Sequence, residues 1–469
     1  MNLNDFFEAG KTIYHASAPG RLDVMGGIAD YSGSLVLQMP IEQCADAWLA
    51  LRDDGCIRVR SASVEALGLQ AEVNLELNQF YDDGKPLDYA ECCKMFSCIK
   101  GGEWSAYAIG CVLVLIKEKG IEIPGVDILI QSDVPIGKGV SSSAAIEVAV
   151  MSALAEACQL DLDPVELPLL AQIVENRVVG APCGIMDQLA SYLGMENRLL
   201  PILCQPVQVF DPICIPEPIR FVGIDSGVRH AVSGASYSDV RTAAYMGYSI
   251  IALNEGAEIS DITNAKASGD WSSIPYNGYL ANIDVSLFES RFLSLLPIRI
   301  SGQEFLDRYG DTIDDITTVE PDKQYAVQTC SAHPVYENHR VNAFMQLLKE
   351  LNKQDASSIQ IPKLLRMLGD FMFQSHSSYS VCGLGCEGTD DIVTSVCDAG
   401  IKSGVYGAKI TGGGSGGTVC VLCAGQEGLE TAKNIAQEYS DKKGIDPFMF
   451  IDSGSGARSK GVKTIMTKR

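Results

Sequence analysis

The sequence comprises 469 residues, of which 46% are apolar and 20% are charged, so it is long enough for a large buried core and unlike a disordered chain. Its 36 lysine and arginine residues against 59 aspartate and glutamate residues give a formal net charge of −23. A surface this acidic repels nucleic-acid phosphates and anionic lipids, so we predict a protein that binds neither nucleic acid nor membranes.

The amino-terminal segment has no basic region followed by an apolar core, and the most apolar helical run, Trp104–Ile116, is too short to cross a bilayer. Sixteen cysteines without a secretory leader favour reduced thiols. We therefore expect a cytoplasmic protein. These patterns leave its oligomeric state open.

In chain order, the first half alternates between strands and helices. Glycines at positions 26, 27 and 33 mark turns between the first apolar runs. The patterns predict strands at Thr12–Ala16, Leu22–Met25, Leu35–Met39 and Val126–Gln131, and helices at Trp104–Lys119, Leu167–Val178 and Met186–Leu193.

The second half follows a proline-rich segment at residues 201–218. Residues 255–329 are acidic and predicted to be irregular. The remaining patterns predict strands at Arg220–Asp225 and Val419–Leu422, and helices at Ser238–Leu253, Glu337–Leu351, Ile361–Ser375 and Glu427–Tyr439.

The most specific local pattern is PIGKGVSSSAA, Pro135–Ala145, which we call the serine-rich loop. Gly137 and Gly139 let a ligand approach the backbone closely, Lys138 adds a mobile cation, and Ser141–Ser143 offer oxygens to cap the next helix. That helix is apolar on nearly all sides, which predicts burial and a firmly held amino end that faces anions. We predict an anion site here; an ordinary capped helix is the alternative.

Five segments resemble the GHMP small-molecule kinases, in particular the galactokinase-like branch and, within it, the plant-type L-arabinose kinases. They are SAPGRLDVMGGIADYSG (Ser17–Gly33), the serine-rich loop, PCGIMDQ (Pro182–Gln188), IDSGVRHAVSGASY (Ile224–Tyr237) and KITGGGSGGTVCVL (Lys409–Leu422). The resemblance implies an α+β, two-lobed GHMP kinase fold. An N-terminal α/β lobe, like domain 2 of ribosomal protein S5, would span residues 1–215, and a ferredoxin-like C-terminal lobe residues 216–469.

The resemblance also implies an ATP-dependent kinase with its site between the lobes. Asp187 corresponds to the carboxylate that accepts or orients the proton of the reacting hydroxyl, with Arg21 beside it; a structural salt bridge is the alternative. Ser143 and Glu175 would hold Mg²⁺, since this cation prefers oxygen ligands. The ATP-binding residues implied are Pro135, Gly137, Lys138, Gly139, Val140, Ser141, Ser142, Ser143 and Ala144.

The sugar-contact positions implied by the resemblance are Asp30, Gly184 and Tyr237. Gly27 and Ile28 depart from the pattern, because galactokinases have GEHTD where this chain has GGIAD. L-Arabinose has the ring stereochemistry of D-galactose but lacks the C6 hydroxymethyl group. The resemblance implies that the glutamate and histidine of galactokinases address the C6 hydroxyl end of the sugar. In a site for the pentose, a carboxylate kept there would be desolvated without a partner, at a cost of about 1–3 kcal/mol. Local packing at Gly27 and Ile28 is the alternative explanation.

We therefore predict that the chain phosphorylates the anomeric hydroxyl of L-arabinose, with ATP and a free monosaccharide as its partners. A galactokinase or a uronic-acid 1-kinase is the alternative enzyme. A sugar sensor on the same fold is the alternative outside catalysis. The glycine-rich turn, Thr411–Gly417, is expected to close over the site from the second lobe.

Overall fold

A computed structural model describes residues 3–65, 67–205, 207–229, 235–355 and 358–467, so residues 230–234 of the fourth motif lie outside the described part. Its first layer is a nine-stranded sheet. Two antiparallel strands, Thr12–Met25 and Leu35–Leu51, form its longest pair. Both are longer than predicted, because pairing continues with shifts of register through Pro19–Arg21, a stretch that lay outside the predicted strands.

The other strands of this sheet lie on both sides of that pair. They are Cys56–Ser61, Glu72–Glu76, Val126–Ser132, Arg198–Leu203, Gln208–Val209, Ile213–Cys214 and Lys463–Met466. The strand Lys463–Met466 pairs with Thr12–Met25, so the end of the chain returns to the first sheet. The lobe boundary at residues 215/216 stays a prediction.

Helices pack against the first sheet and enclose its core. They include Tyr89–Ser97, Ala106–Lys119, Ser142–Ala157, Glu166–Ile173 and Met186–Leu193, with short helices at Ala62–Glu65 and Ala457–Lys460. Most residues of Ser142–Ala157 are buried, which confirms that the helix after the serine-rich loop is anchored in the core. The α-helix predicted over Leu167–Val178 ends at Ile173 and continues as a π-helical turn, Val174–Val179.

The second layer is an antiparallel four-stranded sheet in the order Val405–Ile410, Thr418–Ala424, Ile219–Asp225, Met449–Phe450. Four of its helices begin or end beyond the predicted limits, since their patterns continue past the residues that first signalled them: Ala235–Asn254, Val327–Leu351, Ile361–Val381 and Gly425–Lys443. A fifth helix, Glu387–Ala399, was not predicted.

Residues 255–329 are more ordered than the sequence predicted. They form helices at Ile259–Ser268, Val285–Leu287 and Gly302–Tyr309, a π-helical turn at Phe288–Phe292, and the strand pair Ile300–Ser301 with Gln324–Tyr325. Phe288, Phe292 and Phe305 are fully buried in the core around Ala235–Asn254. The prediction was wrong because these elements are too short to show a period.

Candidate active site

A cavity of about 330 Å³ lies between the serine-rich loop and the glycine-rich turn. Its walls come from the first sheet and the helices and loops beside it, from the helix Ala235–Asn254, and from the glycine-rich turn of the second sheet. It is lined by Arg21, Ile28, Asp30, Tyr107, Ile136, Gly137, Gly139, Val140, Ser141, Ser142, Ser143, Glu175, Ala181, Cys183, Gly184, Met186, Asp187, Tyr237 and Gly413.

The serine-rich loop turns sharply at three positive-φ positions, Gly137, Gly139 and Ser141. A left-handed conformation costs a serine about 1–2 kcal/mol, so other contacts must hold Ser141 in place. Ser141 precedes the helix but makes no side-chain capping bond, which corrects the expectation of serine capping for this residue. Its hydroxyl instead donates to Oδ2 of Asp187 at 2.7 Å. The loop and the carboxylate are thereby joined.

Lys138 is not the mobile cation that the sequence predicted. Its Nζ lies 2.6 Å from Oδ2 of Asp225 and 3.9 Å from the centre of the Phe448 ring, and only 11% of its side chain is exposed. Lys138 does not line the cavity. The loop therefore presents backbone and hydroxyl groups to the cavity, and its charged side chain faces the second sheet.

Asp187 lies in the first turn of the helix Met186–Leu193 and is fixed by two partners. The Arg21 guanidinium binds it in bidentate fashion, with Nε donating to Oδ1 at 2.8 Å and Nη2 donating to Oδ2 at 2.7 Å. Arg21 also donates from Nη1 to the carbonyl of Gly139 at 2.7 Å. The guanidinium is almost fully buried, while 17% of the Asp187 side chain remains exposed to the cavity. The carboxylate is thus both oriented and accessible.

Glu175 lies on the π-helical turn Val174–Val179, a type of distortion that is frequent at functional sites. Burial raises the pKa of Glu175 to about 7, and its hydrogen bond from the hydroxyl of Ser143 opposes that rise. The amide of Gln188 donates from Nε2 to Glu175 at 2.7 Å and to Glu147 at 3.1 Å. Burial also raises the pKa of Glu147. This end of the cavity therefore holds a hydroxyl and a carboxylate side by side.

Asp30 lies at the other end of the cavity, beside Gly184 and Tyr237. A Cβ atom on Gly184 would stand 1.7 Å from Oδ2 of Asp30, so only glycine leaves room for this carboxyl. Burial raises the pKa of Asp30 to about 7, and the charge of Asp187 acts in the same direction. Because the Asp30 carboxyl is buried, a ligand that donates hydrogen bonds from hydroxyl groups would stabilise it.

The wall beside Asp30 is apolar, because Ile28 is buried and faces the cavity. The Ile28 amide donates to the hydroxyl of Tyr379 at 2.8 Å, and that hydroxyl donates to the carbonyl of Gly412 at 3.0 Å. The neighbouring Gly27 amide donates to Oδ1 of Asp23 at 2.9 Å. The backbone that carries Ile28 is therefore held by Tyr379, which is distant in sequence, and by Asp23, which is nearby.

Two protein-family models match the chain. The N terminal domain of the GHMP kinases matches residues 106–195, and the C terminal domain of the GHMP kinases matches residues 347–444. The chain belongs to the GHMP kinase family. Both matched segments contain residues at or beside the cavity. The first contains the serine-rich loop, Glu175 and Asp187, and the second contains Tyr379 and the glycine-rich turn.

Sequence relatives of this chain include two named sugar kinases. It is 39% identical over 497 residues to an L-arabinokinase of Arabidopsis thaliana, which covers 97% of this chain and 47% of that protein. The chain thus spans about half the length of the Arabidopsis protein. It is 27% identical over 462 residues to a galactokinase of Clostridium perfringens, strain 13, with 97% of this chain and 96% of that protein covered.

Solved structures share the fold of this chain. A Lactococcus lactis galactokinase complexed with galactose superposes with a TM-score of 0.70 at 20% identity, covering 97% of this chain and 95% of that one. A mevalonate kinase superposes with a TM-score of 0.51 at 15% identity, covering 94% and 99%. The predicted two-lobed GHMP kinase fold is therefore confirmed.

Of the residues predicted for the site, most line the cavity and four do not. The structure brings together Arg21, Ile28, Asp30, Gly137, Gly139, Val140, Ser141, Ser142, Ser143, Glu175, Gly184, Asp187 and Tyr237. Gly27, Pro135, Lys138 and Ala144 lie outside the lining. Among these, Gly27 and Lys138 support the wall and the loop from behind.

Several residues that support this region were not predicted from the sequence. Arg241 donates to the carbonyl of Cys183 at 3.2 Å and is held by a bidentate pair with Asp314, both fully buried. Asn176 also bonds the backbone of Cys183, which precedes Gly184. The segment 255–329 thus supplies a carboxylate that supports the loop beside Asp30. No local signal marks Asp314 among the many acidic residues there.

The cavity lining holds three carboxyl groups, Asp30, Glu175 and Asp187, against one guanidinium, Arg21, among the residues that the structure describes. An anionic nucleotide needs further positive charge to enter such a site. The hydroxyl of Ser143 and the carboxylate of Glu175 are in contact and both face the cavity. This pair of oxygen donors fits the chemistry of Mg²⁺, which keeps few protein ligands and takes others from phosphate and water.

Proposed function

We propose that this GHMP kinase transfers the γ-phosphoryl group of ATP to the anomeric hydroxyl of L-arabinose, giving L-arabinose 1-phosphate and ADP. The observation that carries the proposal is the Asp187 carboxylate, which is gripped by Arg21 and Ser141 and lies between the serine-rich loop and the Asp30 wall. The named activities of the Arabidopsis and Clostridium relatives support it.

Asp187 acts on the sugar hydroxyl in this proposal. The anomeric oxygen attacks the γ-phosphorus, the bond between that phosphorus and the β–γ bridging oxygen breaks, and ADP leaves. Asp187 orients the hydroxyl and accepts its proton as the new bond forms. Arg21 fixes both carboxylate oxygens, so the side chain needs no rearrangement during the reaction.

The serine-rich loop binds the phosphates. The first amides of a helix have no intrahelical carbonyl partner, and the loop before Ser142–Ala157 directs that end of the helix to the cavity. Ser143 and Glu175 would hold Mg²⁺, which when bound neutralises charge on the phosphate oxygens. Burial raises the pKa of Glu175, so a larger fraction of this carboxyl group is protonated near neutral pH, and a bound cation would favour its ionised form.

The sugar lies against Asp30, Gly184 and Tyr237 in this proposal. Asp30 accepts hydrogen bonds from ring hydroxyls, and a sugar that cannot supply them leaves a buried carboxyl unpaired. Ile28 offers no hydrogen bond to a C6 hydroxyl and fills the space beside the ring, which favours a pentose.

The test is a comparison of kcat/KM for L-arabinose, D-galactose and a uronic acid, with ADP release as the readout. We expect a clear preference for L-arabinose. A preference for D-galactose or the uronic acid would identify that sugar as the substrate instead, and sugar binding without any ADP release would favour a sensor.

We also propose a cytoplasmic location, which the sixteen free cysteines support. No helix among the described residues is long and apolar enough to cross a membrane.

A further inference from the structure

The ion pair between Lys138 and Asp225 joins the serine-rich loop to the second sheet. Lys138 belongs to the serine-rich loop, and Asp225 is the last residue of the strand Ile219–Asp225. Nζ and Oδ2 are 2.6 Å apart, and the side chains are 11% and 5% exposed. A pair this buried interacts more strongly than a surface pair, and loss of one partner leaves the other charge desolvated.

Two further contacts hold the loop at the same corner. The hydroxyl of Thr418 donates to the carbonyl of Lys138 at 2.8 Å. The ring of Phe448 lies 3.9 Å from Nζ of Lys138, and the Asp225 amide donates to the Phe448 carbonyl at 3.0 Å. The lysine of the loop thus packs against a carboxylate at the end of one strand of the second sheet and a ring just before the neighbouring strand.

The opposite flank of the loop contacts the first sheet. Arg21 donates from Nη1 to the carbonyl of Gly139 and from its amide to the carbonyl of Val140. The loop at these attachments contains Gly137 and Gly139, both at positive φ, and such a segment has little conformational preference of its own. Its position must therefore be set by the contacts on both flanks.

We propose that the Lys138–Asp225 pair is an interdomain latch that positions the serine-rich loop for the nucleotide, and that Lys138 is a positioning residue and not a phosphate ligand. The inference rests on the proposed function, since it takes the loop as the nucleotide site. The direction of the Lys138 side chain carries it: the ammonium group faces Asp225 and Phe448, outside the cavity.

A double-mutant cycle tests the latch. The variants are Lys138→Gln, Asp225→Asn and the two combined, and the readouts are the Kd of ADP by calorimetry with magnesium chloride present and the KM values of ATP and L-arabinose. A latch predicts that each single change weakens ADP binding and raises the KM of ATP by about three- to thirtyfold. The combined variant should bind ADP no more weakly than either single variant. The KM of L-arabinose should change less than about twofold in all three.

A direct phosphate ligand gives a different result: Lys138→Gln weakens ADP binding, while Asp225→Asn leaves it unchanged or strengthens it. That result, or unchanged ADP binding in Lys138→Gln, would overturn the latch. Lys119→Gln is the control, because Lys119 pairs with Glu166 at the surface of the first domain. Phe448→Leu removes the ring that packs on the Lys138 ammonium group and decides between the two if Asp225→Asn does not fold: a latch predicts weaker ADP binding, and a direct phosphate ligand predicts unchanged ADP binding.

The proposed function can fail separately. A wild-type chain that binds ADP but phosphorylates no sugar would refute the kinase proposal, and the cycle would still be judged by ADP affinity. A wild-type chain that binds no nucleotide would refute both.

Discussion

The hydroxyl oxygen of Tyr379 lies 1.5 Å from the point where a Cβ atom on Gly27 would stand. Tyr379 is fully buried, and Gly27 has a φ of +45°. The tyrosine oxygen therefore fills the space that a side chain at position 27 would need. Because it also bonds the Ile28 amide and the Gly412 carbonyl, it joins the two backbone segments that border the apolar wall.

Gly27→Ala should destabilise the protein by about 2–4 kcal/mol, because a strained backbone adds about 1 kcal/mol to the cost of overpacking. Unfolding in urea measures the change, and kcat/KM for L-arabinose should fall with it. Gly84→Ala is the control: its φ is +76° and nothing lies within 4 Å of the added atom, so it isolates the backbone cost. Equal losses in the two variants would contradict the role of Tyr379.

Ile28→Ala should relax the choice of sugar. Removing the buried side chain enlarges the wall beside Asp30, and an alkyl group in such a pocket contributes about 1–3 kcal/mol to discrimination. We expect the ratio of kcat/KM for D-galactose to that for L-arabinose to rise about tenfold. Ile109→Ala removes an equally buried side chain from the core beside the first sheet and should lower stability alone. An unchanged ratio in Ile28→Ala would remove this residue from substrate selection.

Asp187→Ala should lower kcat by about a thousandfold or more, since a positioned proton acceptor is lost together with the group that orients the hydroxyl. ADP affinity should change less than about threefold, because the carboxylate is expected to act on the sugar. Calorimetry and ADP release separate the two effects. Asp127→Ala is the matched control, as Asp127 is a buried carboxylate paired with Arg52 and Arg58 away from the cavity. Near-wild-type kcat in Asp187→Ala would exclude the assigned role.

Local patterns predicted the parts of the site that lie close together in sequence. The apolar run after Ser141 and the short apolar period of Met186–Leu193 are visible in single windows, and both helices formed where expected. The partners of these elements are not visible in the same way. Asp225 is far from Lys138 in sequence, and Tyr379 is farther still from Gly27, so only the folded chain shows which charge or hydroxyl fills which space.

Residues 255–329 show the same limit of pattern reasoning. Asp314 is one acidic residue among many there, yet it is buried against Arg241 while others are exposed. Acidic composition predicts solvent exposure for all of them alike. The choice of Asp314 is made by tertiary packing, because a buried carboxylate is stable only where a partner is fixed to receive it.

Asp30→Asn should make the protein more stable at high pH while it weakens sugar binding. Burial, aided by the charge of Asp187, raises the pKa of Asp30 to about 7. Between the pKa of an unfolded aspartate, about 4, and about 7, the folded chain holds a proton that the unfolded chain has released. The contribution of this proton to the free energy of unfolding is therefore fully present below a pH of about 4 and is lost as the pH rises to about 7.

Asparagine cannot ionise, so the stability of Asp30→Asn relative to wild type should increase between pH 5 and pH 8, by on the order of 2–4 kcal/mol. Urea unfolding across this range measures it, with Asp53→Asn at an exposed position as the control. The KM of L-arabinose should rise at the same time, because an amide nitrogen replaces one acceptor oxygen. A stability difference that is independent of pH would show that Asp30 is ionised throughout, and its burial would then have to be balanced by Arg241.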